Sequence, residues 1–461
     1  MTVSVVVPEA MMEEVRFTAN LTEETAGVML AGLAEAPNGE LKILARHLRW
    51  VDESAYDRRD WNGLTIRSEG YVHALAEAES KGAFCIWVHT HPGKDGIPNP
   101  SKWDRIVDRE IADLFRLRSG SAYYGTLIFS PRSSDLVFTG QLQHEDGPAF
   151  PISRLWEVGS RWRLMRAYDS SSPPLAKLFD RNVRAFGPAI QQTLGTLNIG
   201  LAGCGGTGSA VAEQLIRLGV RKIVLIDPDL LSESNLTRVY GSSPSDVGQP
   251  KVEVLGRHLN EIAPDLRCET IQSMITLEST AKHLIGCDVV FGCTDDNAGR
   301  LVLSRLATYL ITPVIDCGVL LSSDANGDRI GIDGRVTVLS PGQACLVCRN
   351  RIDLARAGSE LLTPDERVRR EDEGYAPALA QREPAVVAFT TLVGATAVSE
   401  LLERLIGYGP IERPSEILLR CHDREISTNI AVPRDRHYCH QSSGKLGLGM
   451  TQPFLEQTWP T

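Results

Sequence analysis

The stretch from Leu197 to Ile226 constrains the fold more than any other part of the chain. The apolar run Leu197–Ala202 ends in Gly203-Cys-Gly205-Gly206-Thr-Gly208-Ser209, and a helical segment then leads to a second apolar run, Lys222–Ile226. Glycines in such a turn let the backbone approach an anionic ligand, and the following helix presents its N-terminal amides to phosphate. Strand, glycine turn, helix and strand in series predict an α/β domain with a doubly wound parallel sheet and crossover helices. Asp227 and Asp229 close the second run, where an acidic side chain usually holds ribose hydroxyls. Taken alone, this pattern favours an NAD-dependent dehydrogenase.

The residues that follow shift that reading. Asn235-Leu-Thr-Arg238 lies just beyond the acidic pair, then Gly248-Gln-Pro-Lys251. Farther on, Asp288-Val-Val-Phe291 runs into Cys293-Thr-Asp295-Asp296, with Arg300 behind it. A dehydrogenase has no need of Arg, Lys and a second carboxylate around the phosphates. An enzyme that splits ATP does, because cations hold the triphosphate and a carboxylate holds magnesium.

This ordered set, over about residues 176–430, resembles the ThiF/MoeB and ubiquitin-activating family, and so implies a Rossmann-like ThiF-type domain. By the resemblance, Gly203, Gly205, Gly206, Gly208 and Asp227 bind the nucleotide and Asp229 its ribose. Asn235, Arg238 and Lys251 contact phosphates, and Asp295 coordinates Mg2+. Arg184, in Arg181-Asn-Val-Arg184, matches an arginine supplied across a dimer interface, which implies a homodimer. The implied reaction is attack of a protein's C-terminal carboxylate on the α-phosphate of ATP, giving an acyl-adenylate and pyrophosphate. Arg184, Arg238 and Lys251 would offset the charge on the transferring phosphate. The implied partners are a ubiquitin-like or sulfur-carrier protein and a conjugating enzyme.

A second constellation lies upstream. The strand-like Phe84–Val88 runs into His89-Thr-His91-Pro92, and alternate residues of a strand share a face, so both imidazoles reach one metal ion. Ser101-Lys-Trp-Asp104 then opens a helical run from Arg105 to Leu117. Two His and one carboxylate leave a zinc position open for water, whose pKa the metal lowers to about 7. By itself Ser101-x-x-Asp104 is a helix capping box, and a lone H-x-H is more often incidental than catalytic.

Together these residues resemble the JAMM/MPN metalloprotease family, whose pattern is an upstream Glu, then H-x-H-P and S-x-x-D. The likeness covers roughly the first 140 residues, and Glu24-Thr-Ala-Gly27 before the apolar Val-Met-Leu30 supplies the upstream element. It implies an N-terminal JAMM/MPN α/β domain in which His89, His91 and Asp104 bind Zn2+, Glu24 is the general base and Ser101 helps hold the oxyanion. The gap from His91 to Ser101 is longer than the family's usual spacing, and a loop from Lys94 to Pro100 would absorb it.

Cys345-Leu-Val-Cys348 resembles half of the structural zinc site of many ThiF-type enzymes. The other half here reads His437-Tyr-Cys439-His440. Cys345, Cys348 and Cys439 are thus expected as ligands with His437 or His440 as the fourth, His440 being the one expected; a C-x-x-C without metal is the competing reading. No cysteine lies between Cys348 and Cys421, where a thioester nucleophile would fall, so the adenylate is expected to pass to a separate acceptor.

Composition narrows the remaining choices. Of 461 residues, 43% are hydrophobic and 23% charged, as in soluble globular proteins, and the length suggests more than one core. A net charge of −10 argues against a general nucleic-acid binder. No apolar stretch is long enough to span a membrane and residues 1–15 lack the pattern of a signal peptide, so a cytoplasmic enzyme is the default. Expected boundaries are 1–145 for the metalloprotease domain, 146–178 for a Gly/Pro/Ser-rich linker, 179–435 for the adenylation domain and 436–461 for a loose tail. The leading expectation is a bifunctional enzyme that trims or deconjugates a ubiquitin-like or sulfur-carrier protein with zinc and adenylates its C-terminal Gly with ATP. The alternatives are an enzyme adenylating a peptide or small acid for natural-product or cofactor synthesis, and a non-catalytic scaffold.

Overall fold

The computed structural model describes residues 2–93, 97–133, 135–168, 175–323, 329–362, 366 and 385–460. The chain divides into two compact units: Met1–Ser172 with Leu446–Thr451, and Pro173–Lys445 with Gln452–Thr461.

Unit one runs β1 (Val3–Pro8), α1 (Glu9–Ala19), β2 (Ala26–Glu35), β3 (Leu41–Trp50), β4 (Tyr56–Asp60), β5 (Gly63–Ile66), α2 (Glu69–Lys81), β6 (Phe84–Thr90), α3 (Lys102–Ser119), β7 (Tyr123–Arg132), β8 (Asp135–His144), β9 (Ala149–Val158) and β10 (Trp162–Arg166). Its main sheet has the order β1-β3-β2-β6-β7-β8-β9-β10, and β1 also pairs with β9, so the sheet curls into a barrel. Strand β6 shows why the sheet is covered on both faces. Phe84, Ile86 and Val88 point into one apolar cluster with Val5, Met29, Ile43, Leu127 and Phe138. The alternate Cys85 and Trp87 point into another, with Leu75 of α2 and Phe115 of α3. Burying both faces forces β6 to end where its sequence turns polar, at the two histidines.

The expected linker over 146–178 is corrected in part. Gly147 and Pro148 do mark a turn, but β9 starts at Ala149 and pairs with β1 and β8. Trp156 and Trp162 are each 1% exposed, and the apolar area they bury outweighs the local turn composition. Residues 169–174 lie outside the described residues.

The expected loose tail is corrected as well. Met450 donates its N–H to Leu33 O of β2 at 3.1 Å, and Phe454 and Leu455 are buried in unit two, with Trp459 stacked on Phe454. Polar and glycine-rich composition conceals these few apolar anchors.

Unit two runs α4 (Asp180–Phe186), α5 (Pro188–Leu194), β11 (Asn198–Ala202), α6 (Gly206–Leu218), β12 (Lys222–Ile226), α7 (Lys251–Ile262), β13 (Arg267–Ile271), α8 (Glu278–Ala281), β14 (Val289–Gly292), α9 (Asn297–Tyr309), β15 (Val314–Ser323), β16 (Arg329–Leu339), α10 (Leu354–Glu360), α11 (Val387–Ile406), β17 (Glu416–Arg420) and β18 (Glu425–Asn429). The sheet order is β13-β12-β11-β14-β15-β16-β17-β18. Strands β11 to β15 are parallel to one another and β16 to β18 continue antiparallel. Strand order reverses between β11 and β14, and that switch point opens a crevice at the carboxyl ends of the strands. Among the described residues no helix is long and apolar enough to cross a membrane.

Candidate functional site

The crevice of unit two is a cavity of about 830 Å³. The glycine turn forms one wall. Gly203 has φ +96°, and a Cβ there would stand 2.5 Å from Cys293 O; a Cβ on Gly208 would meet Gly203 O at 1.9 Å. Only glycine fits at these places, so the turn packs flat on β14 and leaves the N-terminus of α6 facing the cavity. Gly203, Gly205 and Gly206 line it, and Gly208 lies beneath as packing.

Asp227 braces this turn. Its carboxylate accepts the Cys204 N–H at 2.6 Å and the Asp229 N–H at 2.8 Å. Burial pushes its pKa up against the pull of Lys251. Lys251, at the start of α7, donates to Asp229 Oδ2 at 2.8 Å. Arg238 lies along Gly206 and donates to Ser234 O at 2.8 Å. Asp295 is exposed on the cavity wall, whereas the neighbouring Asp296 caps α9 through the Gly299 N–H.

Two expected residues are placed elsewhere in this chain. Asn235 is buried, its Oδ1 accepts the Ser232 N–H at 3.1 Å, and it does not line the cavity. Arg184 sits exposed on α4, 2.8 Å from Asp180, and is not a lining residue. Conversely, Arg335, Arg351, Arg356 and Arg420 line the cavity without having been singled out. They come from two strands, a turn and a short helix carrying no motif, and no local signal marks them.

Cys345, Cys348, His437 and Cys439 offer ligand atoms that all lie within 4.8 Å of one another. His437 Nδ1 is 3.6 Å from Cys345 Sγ and 3.2 Å from Cys439 Sγ. His440 is corrected as the fourth member: its Nδ1 instead approaches Ser442 Oγ at 2.7 Å and it caps a short turn. A hydrogen bond from Cys439, against the effect of burial, holds the Cys345 thiol well below its usual range. Three thiols and one imidazole at such distances are the donor set of a closed tetrahedral zinc site.

In unit one, His89 is buried at the end of β6 and His91 follows it, with ring centroids 5.1 Å apart. Asp104 enters from the first turn of α3, its oxygens 3.5 Å from His89 Nε2 and 3.6 Å from His91 Nε2. These three form the other group of ligand atoms within 4.8 Å found among the described residues. The capping box is complete: Ser101 Oγ accepts the Asp104 N–H at 3.1 Å, and Asp104 Oδ2 accepts the Ser101 N–H at 2.6 Å. It therefore serves to orient Asp104. Burial opposes ionisation of Asp104, but the adjacent His89 and His91 rings hold its pKa far below the usual carboxylate range.

His91 Nδ1 is 2.9 Å from Ile97 O, an arrangement that leaves Nε2 for a ligand. Among the described residues neither ring nitrogen of His89, both buried, makes a hydrogen bond, and Nε2 faces Asp104 at 3.5 Å. Glu24 is 8% exposed, and burial raises its pKa while His91 and His89 pull it down. The β4–β5 hairpin fixes its backbone: the Glu24 N–H donates to Asp60 O at 2.8 Å and Arg59 Nε donates to Glu24 O at 3.1 Å. Residues 94–96 of the expected loop lie outside the described residues.

Comparison with known proteins matches the sequence model of the ThiF family to residues 179–440. The chain is 31% identical over 160 residues to the sulfur carrier protein ThiS adenylyltransferase of Escherichia coli, covering 34% of this chain and 60% of that protein. Against the molybdopterin-synthase adenylyltransferase of E. coli it is 29% identical over 172 residues, 37% of this chain and 65% of that one. Against the SAMP-activating enzyme E1 of Haloferax volcanii it is 26% identical over 162 residues, 35% and 56% of the two chains. The matches thus span less than two thirds of each relative. Among solved structures, E. coli MccB with ATP aligns at 17% identity and a TM-score of 0.45, over 58% of this chain and 75% of that one.

Proposed function

The chain belongs to the ThiF family, and from that premise we propose that unit two uses ATP to adenylate the C-terminal carboxylate of a ubiquitin-like or sulfur-carrier protein. The observation that carries the proposal is one cavity lined at once by the glycine turn, the Asp229–Lys251 pair, Arg238 and Asp295. The printed activities of the relatives, which act on a sulfur carrier and on molybdopterin synthase, support the same class of acceptor.

In the reaction a carboxylate oxygen of the carrier bonds to the α-phosphorus, the bond to the β-phosphate oxygen breaks, and pyrophosphate leaves. Amides of the turn at Gly205 and Gly206 would donate to phosphate oxygens, and Lys251 and Arg238 would offset the charge that builds there. Asp229 would bind the ribose, and it accepts a hydrogen bond from Lys251 at 2.8 Å. The exposed carboxylate of Asp295 would hold Mg2+, which when bound neutralises phosphate charge. Asp295→Ala is expected to lower ATP–pyrophosphate exchange at least about 100-fold in a normally folded chain; exchange within tenfold of wild type would remove Asp295 from the site.

The exposed Arg184, away from its own chain's cavity, suits a role in a partner's site within a homodimer. Chains carrying Arg184→Ala mixed with chains carrying Lys251→Ala should then recover part of the exchange activity. The absence of any recovery would exclude a shared site.

For unit one the proposal is a zinc-dependent (iso)peptidase. The buried His89, without a hydrogen bond among the described residues, and the close approach of His91 and Asp104 fit a zinc ion, which when bound would supply an activated water. Glu24, buried and with a raised pKa, would take and return that water's proton. Trimming a carrier precursor would expose the carboxylate that unit two activates. Glu24→Ala should therefore block adenylation of a carrier extended beyond its terminal Gly-Gly and leave a trimmed carrier active. Normal activation of both forms would leave deconjugation as the role of the peptidase. Cys345, Cys348, His437 and Cys439 would hold a second, structural zinc.

A further inference from the structure

The cavity of unit two extends beyond the nucleotide residues into a half walled by β15, β16 and β17. There Asp316 of β15, fully buried, faces two guanidiniums. Arg335 of β16 donates from Nη2 to Asp316 Oδ2 at 2.8 Å, and Arg300 of α9 holds its Nε 3.4 Å from Oδ1. The other lining arginines of this half, Arg351, Arg356 and Arg420, each have a carboxylate of their own in Glu416, Glu360 and Glu425. Asp333, which also lines the cavity, lies 3.9 Å from His422. Among the described residues two cations thus share one anion at Asp316, so this cluster carries a local positive charge.

Two further observations point to what this charge awaits. Among the described residues the buried Nε of Arg335 has no hydrogen-bond acceptor and that of Arg300 faces only Asp316 Oδ1 at 3.4 Å, so the two guanidiniums keep donor capacity beyond Asp316. Gly318 supplies the floor: a Cβ there would stand 3.4 Å from Arg335 Nη2 and 3.6 Å from Arg300 Nη2, so its absence leaves a cradle beneath both guanidiniums. The anion this cradle suits is planar and small, since guanidinium forks match carboxylates in a bidentate way.

Arg335 and Gly318 lie to one side of the glycine turn, while Arg300 of α9 meets them from the Asp295 end of the cavity. Strand β16 is three strands from β11 in the sheet order, roughly 14 Å across at about 4.8 Å per strand, on the side away from β12 and its ribose-holding end. We infer that Arg335, Arg300 and Gly318 form a carboxylate subsite that selects acyl substrates bearing an acidic side chain close to the C-terminus being adenylated. The inference rests on the adenylation reading above for the direction in which the substrate lies.

The test uses the full chain and pairs of fluorescent synthetic peptides ending in Gly-Gly that differ only by Glu or Gln at each of the three positions before it. Binding is measured by fluorescence polarisation with a non-hydrolysable ATP analogue present, and ATP–pyrophosphate exchange is measured separately. At one position the Glu peptide should bind at least about tenfold more tightly than its Gln twin, the size expected of a charge-assisted hydrogen bond. Arg335→Gln should erase that preference. Gly318→Ala, whose added methyl makes only ordinary contacts, should erase it too, so the result does not hang on one variant's folding.

Equal binding of every pair, or a preference that survives both substitutions, overturns the subsite. A rise in the KM for ATP in Arg335→Gln with the Glu preference intact overturns it as well and assigns the arginines to the phosphates. A Glu preference without pyrophosphate exchange upholds the subsite and instead counts against the adenylation reading.

Discussion

His437 and His440 differ by three positions and by everything in their surroundings. The first points its Nδ1 at two thiols and the second at a serine hydroxyl. Replacing His437 by Ala should release bound zinc and lower the melting temperature of unit two, whereas His440→Ala should retain zinc, as measured by metal analysis on the purified chain. Glu416 offers a prediction in pH. Burial pushes its carboxyl up, but hydrogen bonds from Arg351 and Asn429 overcome this and hold its pKa below the ordinary 4.5. A folded pKa below the unfolded one means that the pairing contributes fully above about pH 4.5 and is lost as pH falls beneath it. The resistance of unit two to denaturant should therefore fall more steeply below about pH 4.5 in the wild type than in Glu416→Gln.

At the scale of elements, both candidate sites depend on where one secondary structure stops and the next starts. Helix α3 begins with a reciprocal cap that also orients Asp104. Ser101→Ala should cost about 0.5–2 kcal/mol of stability and weaken zinc binding, while Ser101→Thr, which keeps the hydroxyl, should preserve both in calorimetry and metal titration. In unit two the turn before α6 separates glycines needed for packing from those needed for access. A Cβ on Gly208 would meet Gly203 O at 1.9 Å, yet one on Gly205 would meet nothing within 4 Å. Gly208→Ala should thus lower the melting temperature strongly. Gly205→Ala should leave it nearly unchanged and weaken ATP binding instead, because the methyl enters the space of the phosphates.

For the whole molecule, the last residues matter more than their composition suggests. Leu446–Thr451 belongs with unit one and Gln452–Thr461 with unit two. Gly449 bridges Leu33 of β2, and Phe454 and Leu455 are buried. A chain ending at Lys445 should therefore lose stability in both units, seen as two lowered thermal transitions; an unchanged pair of transitions would show that these contacts are idle. Away from that segment the two sites stand on separate cores, so Glu24→Ala and Asp295→Ala should each abolish one activity and leave the other, with additive effects on stability.

Much of the fold and the site was legible because it is written in short-range patterns. The glycine turn between two apolar runs predicted a parallel sheet, since alternation, turn geometry and helix periodicity are properties of neighbouring residues. H-x-H at the end of a buried strand, followed by a capping box, likewise placed three polar groups near one point. Turn-rich composition was misleading at β9 and in the C-terminal segment, because Trp156, Trp162, Phe454 and Leu455 gain their burial from elements far away in sequence. The choice of His437 over His440 is decided by contact with Cys345, 92 residues distant. The surplus charge over Gly318 arises from α9, β15 and β16 meeting around Asp316. By itself the sequence determined which elements form and which motifs they carry; only the tertiary structure decided which side chains share a partner, because charge balance and ligand geometry depend on through-space distances that local spacing does not encode.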